Sequence, residues 1–258
     1  MNLAQWLALY DQDQRIHVRY PDIQREETPR VVRHVALSES QDSMVIYSRL
    51  DAESADEVIR AEIEYFNGIG QDFEWKVYSH DQPPDLKQRL ERLGFEVGEE
   101  EAIMALDLAE APAVLWQPVI HDILRVTNSA GLEDVLAVER EVWHEDQSQL
   151  GEFLGDTLRE TPDQISIYTA YVNGQPVSAA WAFFPEGSQF ASLWGGSTLE
   201  EYRGMGLYTS LLVIRAQEAR SRGVNYLTVD ASPMSRPILE KFGFIKITES
   251  YPYMWMRK

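Results

Sequence analysis

The chain has 258 residues, 42 acidic against 23 basic side chains, a formal net charge of −19, 44% hydrophobic residues and no cysteine. That length and apolar content suit one large or two small packed domains, and the missing cysteine excludes a disulfide framework, a thiolate metal site and a cysteine nucleophile. The acidic surface repels nucleic-acid phosphates and either attracts cationic amines or simply keeps the chain soluble.

Met1 to Tyr10 is apolar but lacks a basic flank, and Asp11 and Asp13 follow at once, so it does not read as a signal peptide. No run of 18 apolar residues suggests a membrane span, and a cytoplasmic protein is the expectation. The first clear elements are a strand over Ser43–Leu50 and a helix over Ser54–Phe66, with Ser54 and Glu57 spaced as a capping box. Phe73–Tyr78 reads as a strand and Asp85–Leu93 as a helix. Gly94-Phe95 and a strand at Ile103–Leu108 follow. Ala111-Pro112 and Gln117-Pro118 then interrupt both patterns, which puts a domain boundary within 109–117 and divides the chain into 1–115 and 116–258.

The second half opens with a short strand at Ile123–Val126. Leu132–Val142 carries apolar residues at near-helical spacing, and Gln149–Leu158 is a shorter helix. Ile165–Val172 and Val177–Phe184 are partner strands around Asn173-Gly174, a strong two-residue hairpin signal. Pro185-Glu186-Gly187 turns again, and Phe190–Gly196 is the next strand. After it comes Arg203-Gly204-Met205-Gly206, then an amphipathic helix over Leu207–Arg222. A glycine-rich turn between a strand and a helix N-terminus presents unpaired N–H groups at the positive end of the helix dipole, a ready anion site. The P-loop is not met, because Leu207 and Tyr208 stand where Lys and Ser or Thr are needed. The dinucleotide fingerprint is not met either, because its third small residue is missing. Leu227–Ala231 reads as another strand, and the helix that follows ends in Gly243-Phe244.

The stretch from Arg203 to Tyr208 resembles the acyl-CoA loop of the GNAT superfamily of N-acyltransferases, which runs Gln or Arg, two residues, Gly, one residue, Gly or Ala. Arg203, Gly206 and Tyr208 take those positions, with Tyr208 where a small residue is usual. Order and spacing of the later strand, helix and Gly-Phe agree with that family over residues 120–258. Leu90-Glu91-Arg92-Leu93-Gly94-Phe95 and Leu239-Glu240-Lys241-Phe242-Gly243-Phe244 repeat one plan, so the N-terminal half reads as a degenerate GNAT-like domain. Where a glycine loop would align there, it has Leu50-Asp51-Ala52-Glu53-Ser54-Ala55, which repels a pyrophosphate. The fold class expected is α/β (α+β), two GNAT-like domains, each a mixed and mostly antiparallel sheet flanked by helices.

The resemblance implies acetyl-CoA as co-substrate, bound by the second half only. Backbone groups of Arg203, Gly204, Met205, Gly206, Leu207, Tyr208 and Thr209 would take the pyrophosphate. Gly196, Ser197 and Thr198 would pair with the pantetheine arm, with Ser235 as a further contact. Gly195-Gly196 reads equally as a β-bulge without a ligand role. Leu239 stands where the family often has a proton-donating tyrosine. Ser232 or Ser235 is then the candidate donor, or a helix cap. Asp230 is the acidic candidate for the base, or a partner for Arg236, and Glu139, Glu141, His144, Glu145 and Asp146 would line an acceptor pocket for a cationic amine or form a solvated helix end. His17, His34, His80, His121 and His144 have no metal-ligand spacing, so no metal is expected. The activity implied is transfer of acetyl directly to a primary amine of a small molecule; the alternative is a non-catalytic acyl-CoA-binding regulator. Tandem relatives include aminoacyl-transferring enzymes that use tRNA, which the charge disfavours, and mycothiol-forming ones.

Overall fold

A computed structural model describes residues 1–38 and 41–257. The chain opens with α1 (Leu3–Tyr10), capped by a reciprocal Asn2–Gln5 box, and continues into a π-helix at Asp11–His17. Then come β1 (Ile23–Glu27), β2 (Val31–Ala36), β3 (Ser43–Ser48), α2 (Ala55–Ile69), β4 (Phe73–Tyr78), α3 (Leu86–Arg92), β5 (Glu96–Val97) and β6 (Glu101–Asp107). A 3-10 turn at Ala113–Trp116 precedes β7 (Asp122–Arg125), α4 (Ser129–Trp143), α5 (Ser148–Glu160), β8 (Ile165–Val172), β9 (Gln175–Phe183) and β10 (Phe190–Thr198). The chain closes with α6 (Leu207–Ser221), β11 (Tyr226–Ala231), α7 (Arg236–Lys241) and β12 (Ile245–Trp255). Among the described residues no helix is long and apolar enough to cross a membrane.

Contacts divide the chain into two compact units that are not consecutive stretches: 1–104 with 230–236 and 246–258, and 105–229 with 237–245. In the first, β1, β2 and β3 pair antiparallel in order, β3 pairs parallel with β4, and β4 pairs antiparallel with β12. Its core joins Ile59 and Phe66 of α2, Phe73 and Trp75 of β4, Leu90 of α3, and Trp255 of β12. Phe66 stacks on Phe73 at 4.2 Å. The expected capping box at Ser54 is absent, since that side chain makes no cap hydrogen bond. Instead Asp51 Oδ1 accepts from the amides of Glu53 and Ser54 and from Ser54 Oγ, so the aspartate organises the turn before α2.

In the second unit β7, β8, β9 and β10 pair antiparallel in order, and β10 pairs parallel with β11. The Asn173-Gly174 turn has φ of +53° and +78°, the two positive values a type I′ hairpin demands. Leu132, Val135 and Val138 of α4 bury against Ile165, Ile167, Ala179 and Trp181, with Leu207 and Leu211 of α6 in the same core. The segment expected to hold the domain boundary is packed: Leu115 is fully buried, and Gln217 Nε2 donates to the carbonyls of Leu115 and Gln117. The two Gly-Phe ends share one geometry. Gly94 and Gly243 have φ of +100° and +86°. Phe95 N–H donates to Leu90 O and Phe244 N–H to Leu239 O, closing each helix with a Schellman-type turn.

Candidate active site

The site is built around β10. Its parallel pairing with β11 covers only Phe190–Ser192 against Tyr226–Thr228, so the edge of β10 beyond Ser192 is not paired by that neighbour. On its other side the register to β9 slips between Gly195 and Ser197, which makes Gly196 the extra residue of a β-bulge. Only glycine fits here comfortably. Gly195 and Gly196 have φ of +66° and +87°, and a Cβ on Gly195 would lie 2.5 Å from Trp181 Cζ3. The bulge therefore exists, and it turns backbone N–H and C=O groups out of the ladder beside an open strand edge.

The glycine turn follows directly. Gly204 and Gly206 also have positive φ, and nothing lies within 4 Å of a Cβ built on Gly204. Gly206 is the N-cap of α6 and provides no side-chain cap, so the first amides of that helix keep their donor capacity. His121 fastens the turn: its Nε2 is 3.0 Å from the Met205 carbonyl oxygen, and its Nδ1 is 2.7 Å from Ser210 Oγ. Arg203 donates from Nε to Thr198 O. Tyr208 fills the space that Gly196 leaves, with Cε2 2.8 Å from where a Cβ would stand. The large residue at a normally small position is thus matched by a missing side chain opposite it. Burial raises the Tyr208 hydroxyl above its ordinary pKa, against the nearby Arg215 charge.

Two buried charges flank the strand. Arg215 of α6 is 2% exposed and donates to the carbonyls of Leu211, Trp181 and Trp194. Burial lowers its pKa to about 10. Glu139 of α4 is 3% exposed. Its Oε2 accepts from Trp143 Nε1 and from Ser197 Oγ, each at 2.9 Å, while its Oε1 is buried with no hydrogen-bond partner. Burial holds this carboxyl above its ordinary pKa, with the Ser197 and Trp143 bonds opposing. Next to these groups Trp143 is 57% exposed and Trp194 45%.

The structure thus brings together Gly196, Ser197, Thr198 and Arg203 to Thr209 in the second unit. The other three expected residues, Asp230, Ser232 and Ser235, belong to the first. Asp230 is ion-paired with the Lys76 ammonium. Ser232 Oγ accepts from the Ser235 amide at 3.3 Å, the capping arrangement, and Ser235 Oγ donates to Ser232 O. Leu239, where a tyrosine is common, is fully buried core. His121 and Arg215 escaped the sequence reading as site residues. His121 lies 84 residues before the carbonyl it meets, and Arg215 sits within a helix pattern that only the neighbouring strand carbonyls make special.

Residues 130–244 match the profile of the Acetyltransferase (GNAT) family. That stretch, from α4 to Phe244, is similar to GNAT acetyltransferases. The fold likeness extends past it. A GCN5-related N-acetyltransferase from Kribbella flavida superposes with a TM-score of 0.66 at 13% identity, over 97% of this chain and 93% of that one. A functionally unknown conserved protein from Staphylococcus epidermidis gives 0.66 at 14% identity, over 91% and 94%. A tandem GNAT protein from the clavulanic acid biosynthesis pathway gives 0.62 at 14%, over 98% and 94%. No curated protein sequence matches the chain. At these identities the likeness carries the fold, which is the mixed, mostly antiparallel sheet flanked by helices that the sequence reading expected.

Proposed function

We propose that the protein is an acetyl-CoA-dependent N-acetyltransferase that moves acetyl directly to a primary amine of a small molecule. The observation that carries this reading is the Gly195–Ser197 bulge on an open strand edge, running straight into the uncapped N-terminus of α6. An open edge accepts an added strand-like partner through backbone hydrogen bonds, the role of Gly196, Ser197 and Thr198 toward the amides of pantetheine. The residues from Arg203 to Thr209 bind the pyrophosphate, with Gly204 and Gly206 free of side chains that would hold it off and the helix dipole favouring its charge. His121 keeps the turn in that shape. Bound this way, the co-substrate supplies an activated acetyl thioester next to Ser197. The acceptor is a cationic small molecule, favoured by the net charge of −19; nucleic acid and membranes are not its partners, and the protein works in the cytoplasm.

Calorimetric titration of acetyl-CoA tests the reading. Wild type binds. Gly206→Glu sets a carboxylate at the turn, and two like charges about 4 Å apart at an effective dielectric of 20 cost about 4 kcal/mol, roughly a 10³-fold loss of affinity. Equal binding by both proteins, or none by wild type, overturns the assignment.

A further inference from the structure

We infer that Glu139 is the proton acceptor for the incoming amine, reached through the Ser197 hydroxyl; the inference rests on the transferase reading above. A glutamate only 3% exposed, with one carboxyl oxygen unpartnered, is expensive to maintain. A purely structural role gives no reason for it, because a glutamine would satisfy the same two donors. Neither donor to Glu139 is charged: Trp143 Nε1 and Ser197 Oγ. The group is therefore not spent on an ion pair, unlike Asp230, which Lys76 neutralises. Glu141, Glu145 and Asp146, from the same stretch, are exposed, and Asp146 already accepts from Ser148. Ser197 is the residue just past the bulge, so one hydrogen bond connects the carboxylate to the strand that holds the thioester. A shielded carboxyl whose basicity is raised by burial is what proton abstraction near neutral pH needs.

The substrate ammonium gives one proton to Ser197 Oγ as that hydroxyl passes its own to Glu139. The freed nitrogen lone pair forms the C–N bond at the thioester carbon. The C–S bond breaks with its electron pair on sulfur, which takes the second nitrogen-bound proton. Glu139 then releases its proton to solvent, leaving an amide, a thiol and one proton.

The test compares two small nucleophiles in thiol release from acetyl-CoA at neutral pH. Ethylamine arrives as an ammonium ion and must lose a proton, whereas hydroxylamine is already a free base. Glu139→Gln should lose about 10²-fold or more with ethylamine and at least tenfold less than that with hydroxylamine. Ser197→Ala should show the same split and stands in if the first variant does not fold. Equal losses with both nucleophiles, or no loss, overturn the inference. So does a wild type that binds acetyl-CoA calorimetrically yet releases no thiol with ethylamine. A wild type that binds no acetyl-CoA sinks the transferase reading instead.

Discussion

Gly195 is the residue on which the bulge is most sharply testable. Its φ of +66° is strained for any residue with a Cβ, about 1–2 kcal/mol for alanine. The new methyl would also lie 2.5, 2.8 and 3.1 Å from Cζ3, Cε3 and Cη2 of Trp181. That is the side of an indole ring only 6% exposed, whose residue also receives Arg215 at its carbonyl. The ring cannot swing away cheaply, so overpacking adds about 1–3 kcal/mol. Gly195→Ala should therefore cost about 3 kcal/mol, and for a chain of this size lower the melting temperature by about 6–12 °C. The two terms separate in a double-mutant cycle followed by calorimetry. Trp181→Ala is costly alone, by about 3–5 kcal/mol, but removes the clash. In that background Gly195→Ala keeps only the backbone strain, giving a coupling of about 1–3 kcal/mol. Additivity within about 0.5 kcal/mol would refute the argument that the indole excludes a side chain here.

Two further expectations concern pH. Glu139 has a folded pKa raised by burial, so it binds more protons folded than unfolded, and its contribution to stability is full below the ordinary carboxylate pKa and lost as pH rises. Glu139→Gln should accordingly melt higher than wild type at pH 7, with the difference closing below about pH 4; a scan with no pH-dependent difference contradicts this. His34 is buried, and its pKa is lowered to about 4, by burial first and by Arg25 second. The unfolded chain takes up its proton near 6.5 and the folded one does not, so stability is full above that value and falls as pH drops toward 4, by about 3 kcal/mol. His34→Gln should flatten that part of the melting-temperature profile.

What was legible in the sequence was local. The Phe73–Tyr78 and Ile165–Val172 strands end where the alternation and turn residues say, and Asn173-Gly174 sets its hairpin with no tertiary help. The glycines of the α6 turn were readable because positive φ leaves few alternatives. Residues 1–36 were not readable. Strand β2 is buried along its whole length, including Arg33 and His34. Its polarity is balanced by Glu62 from α2 and by Tyr65 beneath the Arg33 guanidinium, partners about 30 residues away. The placement of 246–258 with the first unit was hidden for the same reason. It depends on β12 pairing with β4, from Ser250 opposite Tyr78 to Trp255 opposite Phe73, and no short window encodes that. Glu139 was visible only as one of several acids at a helix end. Burial and the Ser197 contact single it out, and both are tertiary.

Charge balance distinguishes the two units, although both carry a parallel strand pair that parts early. In the first unit β3 pairs with β4 only over Ser43–Val45. A buried arginine, Arg15 of the π-helix, reaches the carbonyl of Ile46 just past the pair. In the second, buried Arg215 reaches the carbonyl of Trp194, two residues past its pair. The arginines differ in their counter-charges. Arg15 is held by Asp11 and bidentately by Asp81, so its cation is already neutralised inside the fold, and the turn that follows β3 is acidic. Arg215 donates to carbonyls alone, and no carboxylate among the described residues pairs with it. The buried Arg215 cation thus lacks the carboxylate counter-charges that hold Arg15. Burying such a cation costs stability, and hydrogen bonds to the carbonyls of Leu211, Trp181 and Trp194 offset part of that cost.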